Sequence, residues 1–312
     1  MALDDDTASL LSQMASAGAP ALHELEVEPA RLALKEVTVL HDIAEEPVAS
    51  MEQRTLTFAT NQQVNIRVYR PAAEPSPSLL VLFHGGGWAL GDLDTHDNMC
   101  RYLCHHARPV VVNVEYRLAP EHPFPEGLED CIATTRWVYE HAVELGSTQA
   151  DLAVIGDSAG GNLAAVVCQL ARQSGGPRIA KQVLLYPSVD LSETGDFASR
   201  EEFGGGEYFL STSDVNWMSK MYLPKGAAPN DARVSPLHAR DLSGLPQTLV
   251  ITAGHDMLRD EGKAYADKLE AAGNQAVSYL NFASTIHGFC SFGGAISAGE
   301  QALARVAQWL RE

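Results

Sequence analysis

The chain has 312 residues, of which 46% are hydrophobic and 20% charged, with a formal net charge of −18. This size and composition fit a globular α/β enzyme of one large domain or two small ones. Nucleic acids and anionic membranes require cationic surfaces, so the acidic balance argues against both as partners.

The N-terminus and the cysteines indicate the compartment. Residues 4–6 are aspartates, whereas a secretory signal would carry lysine or arginine there. No apolar run approaches the roughly 20 residues that a transmembrane helix needs. The five cysteines are odd in number and contain no C-x-x-C pair, which argues against a disulfide framework. We therefore expect a cytoplasmic protein with reduced thiols.

The first 70 residues predict two kinds of structure. Residues 7 to about 35 have helical periodicity, interrupted at Pro20. The stretches TLTFAT (55–60) and VNIRVYR (64–70) predict strands. In the second stretch apolar and polar residues alternate, which is typical of an antiparallel edge with one face in water.

Short, continuous apolar runs follow and predict buried strands. They are residues 79–83, 110–116, 152–155, 183–186 and 248–252, and residues 276–282 follow as a further strand candidate. Segments with helical periodicity separate most of them, for example 162–172 and 261–273. Buried strands alternating with helices predict an α/β fold with a mainly parallel central sheet flanked by helices.

Residues 193–224 interrupt this alternation. The segment is polar and glycine-rich, then helical, and it is too long for an ordinary connection. It predicts a cap formed with the N-terminal helices; a surface excursion packed by its own aromatic residues is the alternative. The predicted parts are cap helices and first strand (1–50), core (51–192), cap insertion (193–224) and core (225–312).

The stretch GDSAGGN, residues 156–162, lies between a predicted strand and a predicted helix. G-x-S-x-G in this setting is typical of a nucleophile elbow. Gly156 and Gly160 leave room for the sharp turn, and the helix directs its positive end at Ser158. We therefore predict that Ser158 is a nucleophile. The glycine spacing also resembles a phosphate-binding loop, but Asn162 replaces the required lysine.

A serine hydroxyl needs a base at neutral pH. His287 follows the last predicted strand, so its loop can reach over the carboxyl edge of the sheet. His255 and His238 also compete for this role, but neither comes after the last strand. We predict His287 as the base.

A carboxylate must orient that base. The segment after strand 248–252 offers Asp256, Asp260 and Glu261. Asp260 and Glu261 fit the first turn of a helix, where acidic residues stabilise the dipole without catalysis. Asp256 is therefore the predicted acid, and the resulting chain order Ser–Asp–His is that of α/β-hydrolases.

The sequence HGGGW directly follows the strand at 79–83 and predicts an oxyanion hole. The Gly85 and Gly86 N–H groups, with the Ala159 N–H, would bind the tetrahedral oxygen. Each such donor lowers the barrier by about 3 kcal/mol. His84 is predicted to bond to backbone rather than to transfer protons.

Metal and cofactor sites are not predicted. Cys100 and Cys104, followed by His105 and His106, offer ligand atoms, but C-x₃-C on a predicted helix is more typical of one buried face. We therefore expect no metal and no cofactor.

Five motifs together resemble the hormone-sensitive-lipase-like family of bacterial carboxylesterases (family IV), within the α/β-hydrolase superfamily. They are HGGGW (84–88), YRLAPEHPFP (116–125), GDSAGGN (156–162), DMLRDEG (256–262) and HGF (287–289). Within these motifs we expect Gly87, Asp157, His84, Gly156 and Gly160 to support the site. Met257 stands where the family usually has proline, which affects loop stiffness more than chemistry.

The resemblance implies a cytosolic serine carboxylesterase for short- to medium-chain esters, with a small-molecule ester as its partner. It also suggests homodimers that pair edge strands near 276–282. Two alternatives are a small-amide hydrolase, such as an aryl formamidase, and a non-catalytic small-molecule receptor. His287 argues against the receptor, because relatives that became receptors lost this histidine.

Overall fold

The computed structural model describes residues 2–72, 76–192, 195–274 and 276–312. Each predicted strand corresponds to an observed one, with shifted ends. The strands are β1 (Ser50–Thr57), β2 (Gln63–Arg70), β3 (Ser76–Phe83), β4 (Val110–Glu115), β5 (Ser147–Asp157), β6 (Ile179–Leu185), β7 (Gln247–His255) and β8 (Val277–Ile286).

These strands form a single sheet in the order β1-β2-β4-β3-β5-β6-β7-β8. β2 pairs antiparallel with β1 and with β4, and every later pairing is parallel. The prediction of a mainly parallel sheet with an antiparallel edge is therefore confirmed. Because parallel strands end at the same edge, loops after β3, β5, β7 and β8 meet there.

Helices cover both faces of the sheet. They are α1 (Asp5–Ala17), α2 (Val27–Leu40), α3 (Asp97–Ala107), α4 (Glu126–Glu140), α5 (Ala159–Ser174), α6 (Ala198–Phe203), α7 (Thr212–Tyr222), α8 (Arg259–Ala271) and α9 (Ser297–Arg311). Buried residues of α3 and α9 belong to the apolar core on one face, and those of α4, α5 and α8 to the core on the other. Strands buried on both faces explain the continuous apolar runs in the sequence.

The N-terminal helices have clear boundaries. Asp4 accepts a hydrogen bond from the Thr7 N–H at 2.8 Å and begins α1, and Gly18 ends it with a φ of 63°. The predicted segment 1–50 needs a correction, because the first strand starts only at Ser50 and lies almost wholly beyond it. Residues 193 and 194, which open the predicted insertion 193–224, lie outside the described residues. Within the described chain, no helix has the length and apolarity to cross a membrane.

Candidate active site

Ser158 lies at the sharp turn between β5 and α5. Its φ of 53° is in the left-handed region, which residues other than glycine rarely adopt. A Cβ on Gly156 would overlap the Gly160 carbonyl oxygen, and a Cβ on Gly160 would overlap the Phe83 carbonyl oxygen. The turn is therefore sterically possible only with glycines at these positions. Asn162 anchors the following helix by donating from Nδ2 to the Ser188 and Val234 carbonyls, both at 2.8 Å.

His287 bridges Ser158 and Asp256. Its Nε2 lies 2.9 Å from Ser158 Oγ, and its Nδ1 lies 2.8 Å from Asp256 Oδ2. Asp256 also accepts a hydrogen bond from the Leu258 N–H at 2.9 Å. The Asp256 and His287 side chains are buried, so this arrangement is shielded from competing water. The structure thus brings together three residues that are far apart in the sequence.

The competing residues have other partners. His255 packs against the Phe203 ring, and His238 Nε2 lies 3.0 Å from Asp190. Asp260 accepts from the Ser199 N–H, and Glu261 accepts from the backbone N–H groups of Val189 and Asp190. None of these four side chains contacts Ser158 within the described residues.

The glycine loop after β3 corrects one expectation. The Gly85 N–H donates to Asp157 Oδ1 at 2.7 Å, so it is not available to bind a tetrahedral oxygen. Gly86 and Gly87 have φ values of 112° and 59°, and together they turn the loop toward Ser158. In the described part of the chain, the N–H groups of Gly86, Gly87 and Ala159 have no hydrogen-bond acceptor. Gly87, predicted as motif support, therefore replaces Gly85 among the free donors.

His84 has the surroundings of a structural residue. It is fully buried, stacks on Tyr116 with ring centroids 4.4 Å apart, and donates from Nδ1 to the Gly85 carbonyl at 2.8 Å. Burial, followed by the nearby His96 charge, lowers the pKa of His84 to about 4. His84 is therefore neutral at physiological pH.

Sequence reasoning missed His96. Its Nε2 lies 2.8 Å from Asp157 Oδ1, the same oxygen that accepts from Gly85. Both side chains are buried. No motif identified this pair, because His96 and Asp157 are 61 positions apart and His96 lies beyond the HGGGW motif in the loop after β3.

Two small cavities lie beside Ser158, with volumes of about 20 and 70 Å³. Leu210 and Met218 line both cavities; Val215 and Leu258 line the smaller one, and Leu22, Leu34, Phe209 and Phe292 the larger one. The N-terminal segment contacts α7, since His23 Nδ1 lies 2.8 Å from Asp214 Oδ1. Residues 22–38 and 209–218 therefore both shape the space above Ser158.

Other cavities and side-chain clusters lie away from Ser158, Asp256 and His287. A larger cleft, of about 920 Å³, is lined by residues of β3, β5, β6 and β7 at the opposite edge of the sheet from Ser158. Among the described residues, Glu46, His105 and His106 are the group whose ligand atoms, within 4.8 Å of one another, could hold a metal. None of the three lines a cavity at Ser158. Cys100 and Cys104 are buried elsewhere in the core.

Residues 80–291 match a protein family described as having an alpha/beta hydrolase fold. The chain belongs to this family. The match confirms the fold class, and together with the relatives described next it confirms the resemblance to the hormone-sensitive-lipase-like carboxylesterases.

Individual relatives extend the match. The carboxylic ester hydrolase LipN of Mycobacterium tuberculosis is 47% identical over 250 residues, covering 77% of this chain and 65% of LipN. The carboxylesterase NlhH of the same organism is 39% identical over 290 residues, 89% of this chain and 87% of NlhH. A solved ester hydrolase from the metagenome of Lake Arreo is 40% identical with a TM-score of 0.93, covering 99% and 98% of the two chains.

Proposed function

We propose that the protein is a serine carboxylesterase that hydrolyses short- to medium-chain carboxylic esters through an acyl-enzyme intermediate. The observation that carries the proposal is the position of His287, within hydrogen-bond distance of both Ser158 Oγ and Asp256 Oδ2. This is the geometry that a serine nucleophile needs, with its base held by a carboxylate. Relatives named as ester hydrolases, at 39% to 47% identity, support ester rather than amide chemistry.

In the first half of the reaction, Ser158 Oγ attacks the ester carbonyl while His287 Nε2 accepts the serine proton. Asp256 holds the imidazole with Nε2 facing Ser158 and stabilises the imidazolium that forms. The tetrahedral oxygen accepts hydrogen bonds from the N–H groups of Gly86, Gly87 and Ala159. His287 then returns the proton to the leaving alcohol, which leaves the acyl group on Ser158.

In the second half, water attacks the acyl-enzyme and His287 accepts its proton. The same donors bind the second tetrahedral oxygen, and collapse releases the carboxylic acid and restores Ser158. The first N–H groups of α5 add the positive end of the helix dipole at the same place. No cofactor takes part in the proposed reaction.

The preference for short or medium chains is supported by the size of the cavities. Volumes of about 20 and 70 Å³ beside Ser158 give little room for a long acyl chain. Most of the side chains that line them are apolar, which suits hydrocarbon groups on both sides of the ester.

Two further proposals concern cell location and assembly. All five cysteines are free and buried, which supports a reducing compartment such as the cytoplasm. β8 pairs with β7 alone among the described strands and leaves Leu280 exposed, which supports a homodimer formed by edge pairing.

The test is hydrolysis of p-nitrophenyl esters from acetate to palmitate. We expect the highest kcat/KM between acetate and octanoate, and Ser158→Ala should lower the rate by at least about 10⁴-fold. Ser174→Ala, an exposed serine at the other end of α5, is the control and should keep full activity. A maximum at palmitate would refute the proposed chain length, and turnover by Ser158→Ala would refute the mechanism.

A further inference from the structure

Building on the proposed function, we propose that His96 is a positioning residue for the reaction. With Asp157 it forms a buried ion pair that orients the glycine loop and neutralises a carboxylate beside the tetrahedral oxygen. His96 lines the larger cavity beside Ser158, but its side-chain hydrogen bonds go to Thr95 and Asp157 and not to Ser158. It acts through Asp157, the residue directly before Ser158.

Hydrogen bonding identifies His96 as an imidazolium. The Thr95 hydroxyl donates to the Asp92 carbonyl at 2.8 Å, so its only proton is engaged. Thr95 Oγ1 must therefore accept at its 2.9 Å contact with His96 Nδ1. At the other side of the ring, Nε2 faces an Asp157 oxygen at 2.8 Å, which can only accept from it when ionised. Both ring nitrogens of His96 thus carry protons.

Asp157 connects this cation to the reacting centre. The oxygen that accepts from His96 also accepts from the Gly85 N–H at 2.7 Å. Fixing Gly85 fixes the peptide planes that follow it, including the free N–H groups of Gly86 and Gly87. Asp157 therefore links the glycine loop to the turn that carries Ser158.

The positive charge of His96 has a role in the reaction besides that of its hydrogen bond to Asp157. Negative charge develops on the tetrahedral oxygen during the reaction, and an unpaired carboxylate nearby would oppose it in this low-dielectric interior. The imidazolium leaves the Asp157 pair close to neutral. His96 therefore removes an electrostatic penalty that Asp157 alone would impose.

The neighbouring ionisable groups are consistent with a protonated His96 and an ionised Asp157. Burial favours the neutral form of His96, but the charge of Asp157 and the hydrogen bond to it outweigh burial and raise the His96 pKa. Asp42 and Asp92 add smaller contributions in the same direction. Burial raises the pKa of Asp157, but His96 reverses this and lowers it. His84, whose ring centroid is 5.8 Å away, is the other histidine facing the pair.

The experiment compares His96→Gln, Asp157→Asn and the double variant. Gln keeps an uncharged N–H near Asp157, and Asn keeps an acceptor for Gly85. We expect His96→Gln to lower kcat for p-nitrophenyl butyrate at least 10-fold with KM changed less than 2-fold. The double variant should be at least 3-fold faster than His96→Gln, because the uncompensated charge is gone. His238→Gln, which also removes a histidine from a buried aspartate, is the control and should keep wild-type kcat.

Unchanged kcat in His96→Gln, or a double variant no faster than it, would overturn the inference. Nitrogen-15 NMR of histidine-labelled wild-type enzyme at pH 7 provides a test that needs no variant. We expect one buried ring with both nitrogens protonated, and the absence of such a ring would also overturn the inference. Ser158→Ala is measured in parallel: if it stays active the proposed function fails, whereas an inactive Ser158→Ala with a fully active His96→Gln refutes only the role of His96.

Discussion

Met218 of α7 lies directly over Gly87 of the glycine loop, so closely that a Cβ on Gly87 would overlap the Met218 sulfur. This contact joins α7 to the loop whose N–H groups are expected to bind the tetrahedral oxygen. It also places Met218 in the wall of both cavities beside Ser158. The size of the substrate and the position of the glycine loop therefore depend on the same side chain.

Shortening Met218 should broaden the substrate range. Met218→Ala removes the side chain that lines both cavities, so we expect the ratio of kcat/KM for p-nitrophenyl octanoate over acetate to rise by roughly 10-fold. Met221→Ala is the matched control, since Met221 belongs to the same helix but lines neither cavity. An unchanged ratio in Met218→Ala would show that Met218 does not limit chain length.

A side chain at Gly87 should impair catalysis more than folding. Gly87→Ala places alanine at a φ of 59°, which L-residues rarely adopt, and pushes a methyl group into Met218, so the loop or the Met218 side chain must shift. If the Gly87 N–H binds the tetrahedral oxygen, its displacement lowers kcat by about 100-fold. The double variant with Met218→Ala relieves the overlap and should regain part of this loss. Full activity of Gly87→Ala would contradict this prediction.

His84 should make the fold sensitive to acid. Its folded pKa of about 4 lies below the ordinary value of 6.5, so its contribution to stability is complete above pH 6.5 and is lost as the pH falls toward 4. The difference between these two pKa values corresponds to roughly 3 kcal/mol in the free energy of unfolding. His84→Phe keeps a ring on Tyr116 without this titration. Urea unfolding at pH 7.5 and 4.5 should show a smaller loss on acidification in His84→Phe than in the wild type; equal losses would contradict the interpretation.

The sequence predicts residues whose position in the fold follows from the order of the strands. It does not predict residues whose role depends on the direction in which a backbone or side-chain group points. Ser158, Asp256 and His287 follow parallel strands, and such strand ends meet at one edge of the sheet whatever the details of packing. Gly85 was assigned wrongly, because the direction of its N–H is set by Asp157, 72 positions away.

The roles of His96 and Met218 could not be predicted from the sequence for a related reason. The pairing of His96 depends on how the loop after β3 folds back over the turn at Ser158, and no local pattern encodes that path. Met218 lies in a segment whose helical periodicity predicted α7 but not which of its faces would lie over Gly87.

Labelling by an organophosphate tests most directly whether Ser158 is the nucleophile. The enzyme is inactivated with diethyl p-nitrophenyl phosphate, and its peptides are then analysed by mass spectrometry. We expect one diethyl phosphate group per inactivated chain, on Ser158. Complete inactivation with the adduct on another residue would contradict the mechanism.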